Sequence, residues 1–380
     1  MNCKNMLLLL GLFVLSIVNA DAQELTSKLP SKKKILKPLR LTNAYFMKKW
    51  PDPGKSIVTN RERPSNIWTR GVYYEGLMAL YAIDKKKEYY DYALSWGQKH
   101  NWSFRNGITT RNADDQCAGQ TYIDLYLIDK QPERIKDAKA SIDLMVQSDK
   151  SDDWNWIDAI QMAMPVFVRL GVVYNDTNYF HKMYDLYAFA KYKHGGNGLY
   201  NHADRLWWRD KDFVPPYKEP NGEDCYWSRG NGWVIAALAR TLQMLPKSDP
   251  HYNEYLQDFK DMATVLIPIQ REDGFWNASL HDPTNFGGKE TSGTALFTYA
   301  FAWGINHGIL DKHTYMPIIT KAWNAMVKES VHKDGFLGFV QGTGKEPKDG
   351  QPVTYTSKPD FEDYGLGCFL LAGSEVYKLK

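Results

Sequence analysis

The sequence predicts an all-α fold, an (α/α)6 toroid in which six outer helices ring six inner ones in a single domain. Two kinds of helical segment alternate along the chain, the alternation recurs with a period of about 40 to 75 residues, and a similar turn stands ahead of several inner segments. The outer kind shows one apolar stripe spaced 3, 4, 3, the signature of a helix with its other face in water. The inner kind is apolar or small nearly all round, as a helix buried on every side must be. With 380 residues, 43% hydrophobic and 24% charged, the chain has material for a large core, which excludes disorder, collagen and coiled coil.

In order, segment 34 to 49 is a weak outer member, Gly76 to Ile83 is inner and 86 to 99 is a second weak outer member. Residues 117 to 128 are inner, and Ile135, Ala138, Ile142 and Met145 stripe the next outer helix. Inner 157 to 170 precedes the stripe Phe180, Met183, Tyr187 and Ala190, and inner Gly232 to Ala239 precedes Leu256, Phe259, Ala263 and Leu266. Inner Gly293 to Ala302 is followed by Met316, Ile319, Trp323 and Met326, and Gly365 to Ala372 completes six pairs. The turns Asn197-Gly-Leu-Tyr200, Asp273-Gly-Phe-Trp276 and Asp334-Gly-Phe-Leu337 would carry the chain to one rim, where inner helices begin. Functional groups are expected just ahead of those helices.

The ends and the charge narrow the class further. Lys4, the apolar run Met6 to Val18 and Ala20-Asp21-Ala22 match a secretory signal over residues 1 to 22, with the mature chain expected to start near Gln23. The run is too short to anchor a protein in a bilayer, and Cys3 precedes it, so a lipoprotein is not expected. Residues 23 to 65 then hold the N-terminal segment and first outer helix, and 66 to 380 the remainder of the ring. Net charge is +3, yet six basic residues between Lys28 and Arg40 leave the rest at about −3, without the basic face that nucleic acid requires. Cys117, Cys225 and Cys368 are too widely and irregularly spaced for a zinc site or a disulfide framework, and read as buried small residues of which one pair could oxidise. Thirteen Trp, 24 Tyr and 16 Phe suit a big core or a sugar-binding cleft.

Ahead of the inner helices stand Trp68-Thr-Arg70 with Glu75; Asp114-Asp115; Trp154-Asn-Trp156-Ile-Asp158; Tyr226-Trp227-Ser-Arg229-Gly-Asn231-Gly-Trp233; Lys289-Glu290; and Asp360-Phe-Glu362-Asp363-Tyr364. Paired carboxylates suit general acid and base work, because burial and mutual repulsion hold one protonated while the other ionises. One of Asp114 and Asp115 is expected to cap its helix, freeing the other to point inward. Asp158 lies in an otherwise apolar run, where a carboxylate is costly unless paired or functional. Pro165, two turns on, is expected to kink or shorten that helix. Arg229 either binds a substrate carboxylate or bridges to a rim carboxylate. His202 either donates to a sugar or serves only local hydrogen bonds. Trp156, Trp227 and Trp233 offer flat faces to a sugar ring.

At these residues, over most of the chain from about Asn66, the sequence resembles the unsaturated rhamnogalacturonyl hydrolases, glycoside hydrolase family 105, relatives of the unsaturated glucuronyl hydrolases of family 88. The resemblance implies the toroid, with Asp158 as catalytic acid and base and a second carboxylate from Asp114 or Asp115, Asp115 being favoured. It implies Trp156, His202, Trp227, Arg229 and Trp233 in the substrate pocket, with neither metal nor organic cofactor. The implied substrate is an oligosaccharide ending in an unsaturated uronic acid, and the exported chain would work in a periplasm. Two other readings remain open: another toroid glycosidase, such as a family 76-like endo-mannanase using Asp114 and Asp115, and a non-catalytic glycan-binding protein.

Overall fold

The protein was analysed as a computed structural model that describes residues 28 to 379; the reading of residues 1 to 22 as a signal lies outside them. The outer helices are α1 (Lys32–Lys49), α3 (Lys87–Lys99), α6 (Lys136–Val146), α8 (Asn178–Tyr192), α10 (Tyr252–Leu266) and α12 (Lys312–Glu329). The inner ones are α2 (Trp68–Ile83), α5 (Ala118–Ile128) with its short leading helix α4 (Ala113–Gln116), α7 (Asp158–Tyr174), α9 (Ser228–Leu242), α11 (Thr291–Asn306) and α13 (Asp363–Lys378). Two antiparallel pairs of two-residue strands, β1 (Ile57–Val58) with β2 (Glu62–Arg63) and β3 (Tyr200–Asn201) with β4 (Leu206–Trp207), ornament the connections. The predicted stripes face the inner ring; within them only Leu256 and Met316 keep part of their surface in water. Cys117, Cys225 and Cys368 are buried and free, as small core residues. No helix among the described residues is long and apolar enough to cross a membrane.

Each inner helix packs against the next, and α13 packs against α2, so the ring closes. A cavity of 270 Å³ at one mouth is lined from the C-terminal halves of all six, through Tyr81, Asp124, Arg169, Arg240, Tyr299 and Glu375 among others. All six N-termini therefore meet at the opposite mouth. The three turns that predicted this arrangement each hold a glycine at positive φ, Gly198 at 84°, Gly274 at 93° and Gly335 at 99°.

Pro165 lies inside α7 without shortening it, so of the two outcomes expected, a kink or a shorter helix, the shorter helix is not seen. A proline frees the carbonyl four residues earlier, here that of Gln161, and the Gln120 side-chain amide on α5 donates to that oxygen at 2.8 Å. The neighbouring helix supplies the bond the proline cannot.

Closure rests on close backbone approach. A Cβ on Gly76 would collide with the backbone of Gly367, and one on Gly367 with the backbone of Val72. Gly367→Ala is expected to cost about 1–3 kcal/mol and lower Tm by roughly 1–4 °C in a thermal melt. Gly107→Ala, at φ 74° with nothing nearby, should cost only the backbone term of about 1 kcal/mol.

Candidate active site

The N-terminal mouth is assembled from the first turns of the inner helices, whose unpaired N–H groups favour negative charge there. Asp158 is the first residue of α7 and 8% exposed. Arg209 Nε donates to its Oδ2 at 3.2 Å, and Arg209 Nη1 donates to Asp210 Oδ2 at 2.7 Å. Arg209 arrives because the strand β4 side of its loop lies along the entry to α7: Trp156 bridges Asp210, and the Ile157 N–H donates to the Arg209 carbonyl at 3.0 Å. Sequence reasoning missed Arg209. It searched the residues immediately before inner helices, whereas Arg209 lies well upstream of α9, in Trp207-Trp208-Arg209-Asp210. That juxtaposition of aromatic, basic and acidic residues was its one visible signal.

The adjacent aspartates have separate duties. Asp115 is fully buried, and its carboxylate accepts from Arg105 Nε, Asn106 Nδ2 and Thr110 Oγ1, each at 2.7 Å. Asp115, the sequence preference for the second site carboxylate, thus has both its oxygens engaged by the 105–110 loop. Neither aspartate is the cap: the Asn112 side chain accepts from the Asp114 N–H at 2.9 Å. Asp114, partly exposed, interacts with Asp158. Burial and then the Asp158 charge push its carboxyl up to about 7, against the pull of Arg105 and Arg209.

Trp156 and Trp68 are partly exposed and supply aromatic surface, Trp68 lying edge-on to Trp233 at 6.3 Å between centroids and tilted against Tyr364 at 5.4 Å. Trp233 is wholly buried and backs Trp68. His202 is exposed at the tip of the β3–β4 hairpin, its ring packed on Tyr200 and Tyr192. Among the described residues no bond joins it to Asp114, Asp158 or Arg209.

The segment Trp227 to Trp233 is a staple between two rim loops. Arg229 is 1% exposed, stacked between Trp227 and Tyr364 at 4.5 and 5.0 Å to the ring centroids. It donates to the carbonyls of Gln341 and Gly342 at 2.8 Å each, and among the described residues no rim carboxylate is ion-paired with it. Trp227, also buried, donates through Nε1 to Gln341 Oε1 at 2.9 Å. Asn231 grips the Trp207 backbone from both sides, accepting from its N–H at 2.8 Å and donating to its carbonyl at 3.0 Å. Two residues beyond that grip lies Arg209. No group of metal-ligating side chains occurs among the described residues.

A closed (α/α)6 ring with a desolvated carboxyl pair at its N-terminal mouth, walled by Trp, defines a glycoside hydrolase architecture. The model of Glycosyl Hydrolase Family 88 matches residues 40–380. The chain belongs to that family and is a glycoside hydrolase. It is 33% identical over 333 residues, 82% of this chain and 85% of the other, to an unsaturated 3S-rhamnoglycuronyl hydrolase from Formosa agariphila. A family 88 glycosyl hydrolase structure from Bacteroides vulgatus superposes with TM-score 0.82 at 32% identity, covering 92% of this chain and 100% of that one. A chain described as a polysaccharide lyase superposes with TM-score 0.81 at 30% identity, covering 91% of this chain and 97% of that one.

Two measurements check the geometry. Arg229→Lys puts a point donor where two buried carbonyls need a fork, and should cost about 1–3 kcal/mol, seen as a lower Tm and faster proteolytic nicking between residues 342 and 358. For Asp114 the folded value of about 7 lies above the ordinary 3.8. The native state therefore binds the extra proton between those values, and stability falls as pH rises through them and is fully reduced above about 7. The Tm gain of Asp114→Asn over wild type should thus be near zero in acid and largest above neutrality.

Proposed function

We propose that the chain removes a 4,5-unsaturated uronic acid from the non-reducing end of lyase-generated oligosaccharides, by hydration of the C4=C5 enol ether. The observation that carries this reading is the Asp114 and Asp158 pair: one carboxyl is held protonated near neutral pH beside another that is ion-paired with Arg209. Hydration needs that combination, a proton to give and a base to receive one.

The steps follow from the chemistry of the bond. The proton shared by the pair is delivered to C4 through Asp158, which leaves positive charge at C5 delocalised onto the ring oxygen. Water adds to C5 as its second proton passes to the carboxylate, restoring the shared proton. The hemiketal opens by cleavage of the C5 to ring-oxygen bond, giving a ketone at C5 and a hemiacetal at C1. Loss of the next sugar as an alcohol leaves an aldehyde, so one water is consumed for each alcohol released. Trp156 and Trp68 provide the wall against which the flattened ring stacks. Arg209, half-buried and already beside Asp158, provides the cation that faces the substrate carboxylate.

The name of the Formosa relative supports a glycuronyl unit joined to rhamnose, and the first substrates to test are unsaturated uronyl-rhamnose disaccharides with and without sulfate on rhamnose. The polysaccharide lyase likeness supplies a second reading that one assay separates. The conjugated double bond absorbs in the ultraviolet, so hydration erases the band on a disaccharide while a lyase creates it on a polymer. Loss of the band is expected, and a band that grows instead would replace hydration with elimination. Asp158→Asn should fold normally and lose about 10²–10⁴-fold in kcat. Because activity needs the proton on the pair, kcat/KM in the wild type should decline as pH rises through about 7.

A further inference from the structure

Two turns below the mouth, the axis of the ring holds a carboxylate that the hydration chemistry does not use. Glu75 is 1% exposed in the middle of α2, well below the rim where the sequence reading grouped it with Trp68 and Arg70. Its Oε1 accepts from the Cys117 thiol at 3.4 Å and its Oε2 from Gln161 Nε2 at 2.9 Å. Cys117 is three residues beyond Asp114, and Gln161 three beyond Asp158. One carboxylate thus ties together the two elements that carry the active pair.

Burial pushes the Glu75 carboxyl up and Arg240 is the first group to draw it back, so this placement is electrostatic as well. Arg240 on α9 is buried, and its Nη2 lies 3.8 Å from Glu75 Oε2 while its Nε donates to Gln120 Oε1 at 3.0 Å. Arg240 Nη2 makes no hydrogen bond of its own among the described residues. The groups facing Glu75 from the packed elements are Cys117 and Asp124 from the α4–α5 segment, Gln161 and Arg169 from α7, and Arg240 from α9. Tyr299 from α11 and Glu375 from α13 line the same axial cavity. Asp124 is itself paired with Arg169 at 2.6 Å, and Glu375 with Lys378 at 2.6 Å, so Glu75 is the carboxylate left to balance Arg240. The Cys117 thiol stands within the fields of Glu75, Asp114 and Arg240 together.

We propose that Glu75 is a positioning residue and counter-charge for the active pair: it holds the segment of Asp114 through Cys117 and that of Asp158 through Gln161, and it balances Arg240 beneath the mouth. Asp114 faces Asp158 and Asp115, which favour its protonation, and Arg105 and Arg209, which oppose it. A third, uncompensated guanidinium within a few helical turns would shift the balance by on the order of half to one pH unit. The consequence for catalysis rests on the hydration reading; the electrostatic relation does not.

The test is the titration of Asp114 in the folded full chain by carbon-detected NMR of labelled aspartate side chains, its signal identified by its absence in Asp114→Asn. Glu75→Gln is expected to lower the midpoint by roughly half to one pH unit, Arg240→Gln to raise it by a similar amount, and the double variant to return it close to wild type. Should Glu75→Gln fail to fold with Arg240 left unpaired, Arg240→Gln and the double variant, which buries no lone charge, decide the matter. An Asp114 midpoint that stays put in the folded single variants overturns the proposal. In an active enzyme the alkaline limb of kcat/KM moves with the midpoint while KM stays within about twofold. If the ultraviolet band is untouched on every substrate, the hydration reading fails while the titration still decides the role of Glu75.

Discussion

Everything at the mouth depends on the joint where the ring closes. Gly76 and Gly367 let the backbones of α2 and α13 touch, and above that contact Arg70 Nε meets Asp363 Oδ2 at 3.1 Å with both side chains almost wholly buried. Thr69 adds a donor to the same carboxylate at 3.2 Å. Burial pushes the Asp363 carboxyl up and Arg70 draws it back. A buried ion pair of this kind adds little net stability compared with an apolar contact, but losing either partner is costly. Its effect is to fix the register of the first inner helix against the last. Only with that register set do six helix ends arrive at one level.

Given a closed ring, the site is assembled by side chains that bind backbone. Asp115 gathers the 105–110 loop and so fixes the turn that presents Asp114. Asn231 clamps Trp207, which delivers Arg209 to Asp158. Gln120 completes α7 where Pro165 interrupts it, one turn below Asp158. Asp114, Asp158 and Arg209 are thereby held by side chains that bind the chain around them, which is what preorganisation requires of a desolvated carboxyl pair.

Much of this was legible in the sequence, and the failures share one cause. Periodicity separated inner from outer helices because burial on one side and burial on all sides leave different patterns. Asp158 stood out because a carboxylate amid Ile157, Ala159 and Ile160 needs a reason. Sequence proximity to an inner helix could not say which of Asp114 and Asp115 turns inward, since that is decided by donors from a loop several residues earlier. Nor could it tell which arginine meets Asp158: Arg229 is held by carbonyls more than a hundred residues distant, while Arg209 is brought to Asp158 by a strand pairing too short to leave a pattern. The shortening expected from Pro165 is absent for the same reason, its remedy lying on another helix.

The loop that begins at Gln341 is gripped from underneath. Arg229, Trp227 and Tyr364 all bind Gln341 from the helical side, and its own amide donates to the carbonyls of Glu346, Pro347 and Asp349. The side chains farther along the loop make separate contacts, Thr343 with Asp360 and Lys345 with Asp212, and among the described residues none of them bonds to Gln341. Substitutions on the loop's outer side leave the Gln341 anchor in place, so the rim loop can change its face while the helices beneath keep theirs.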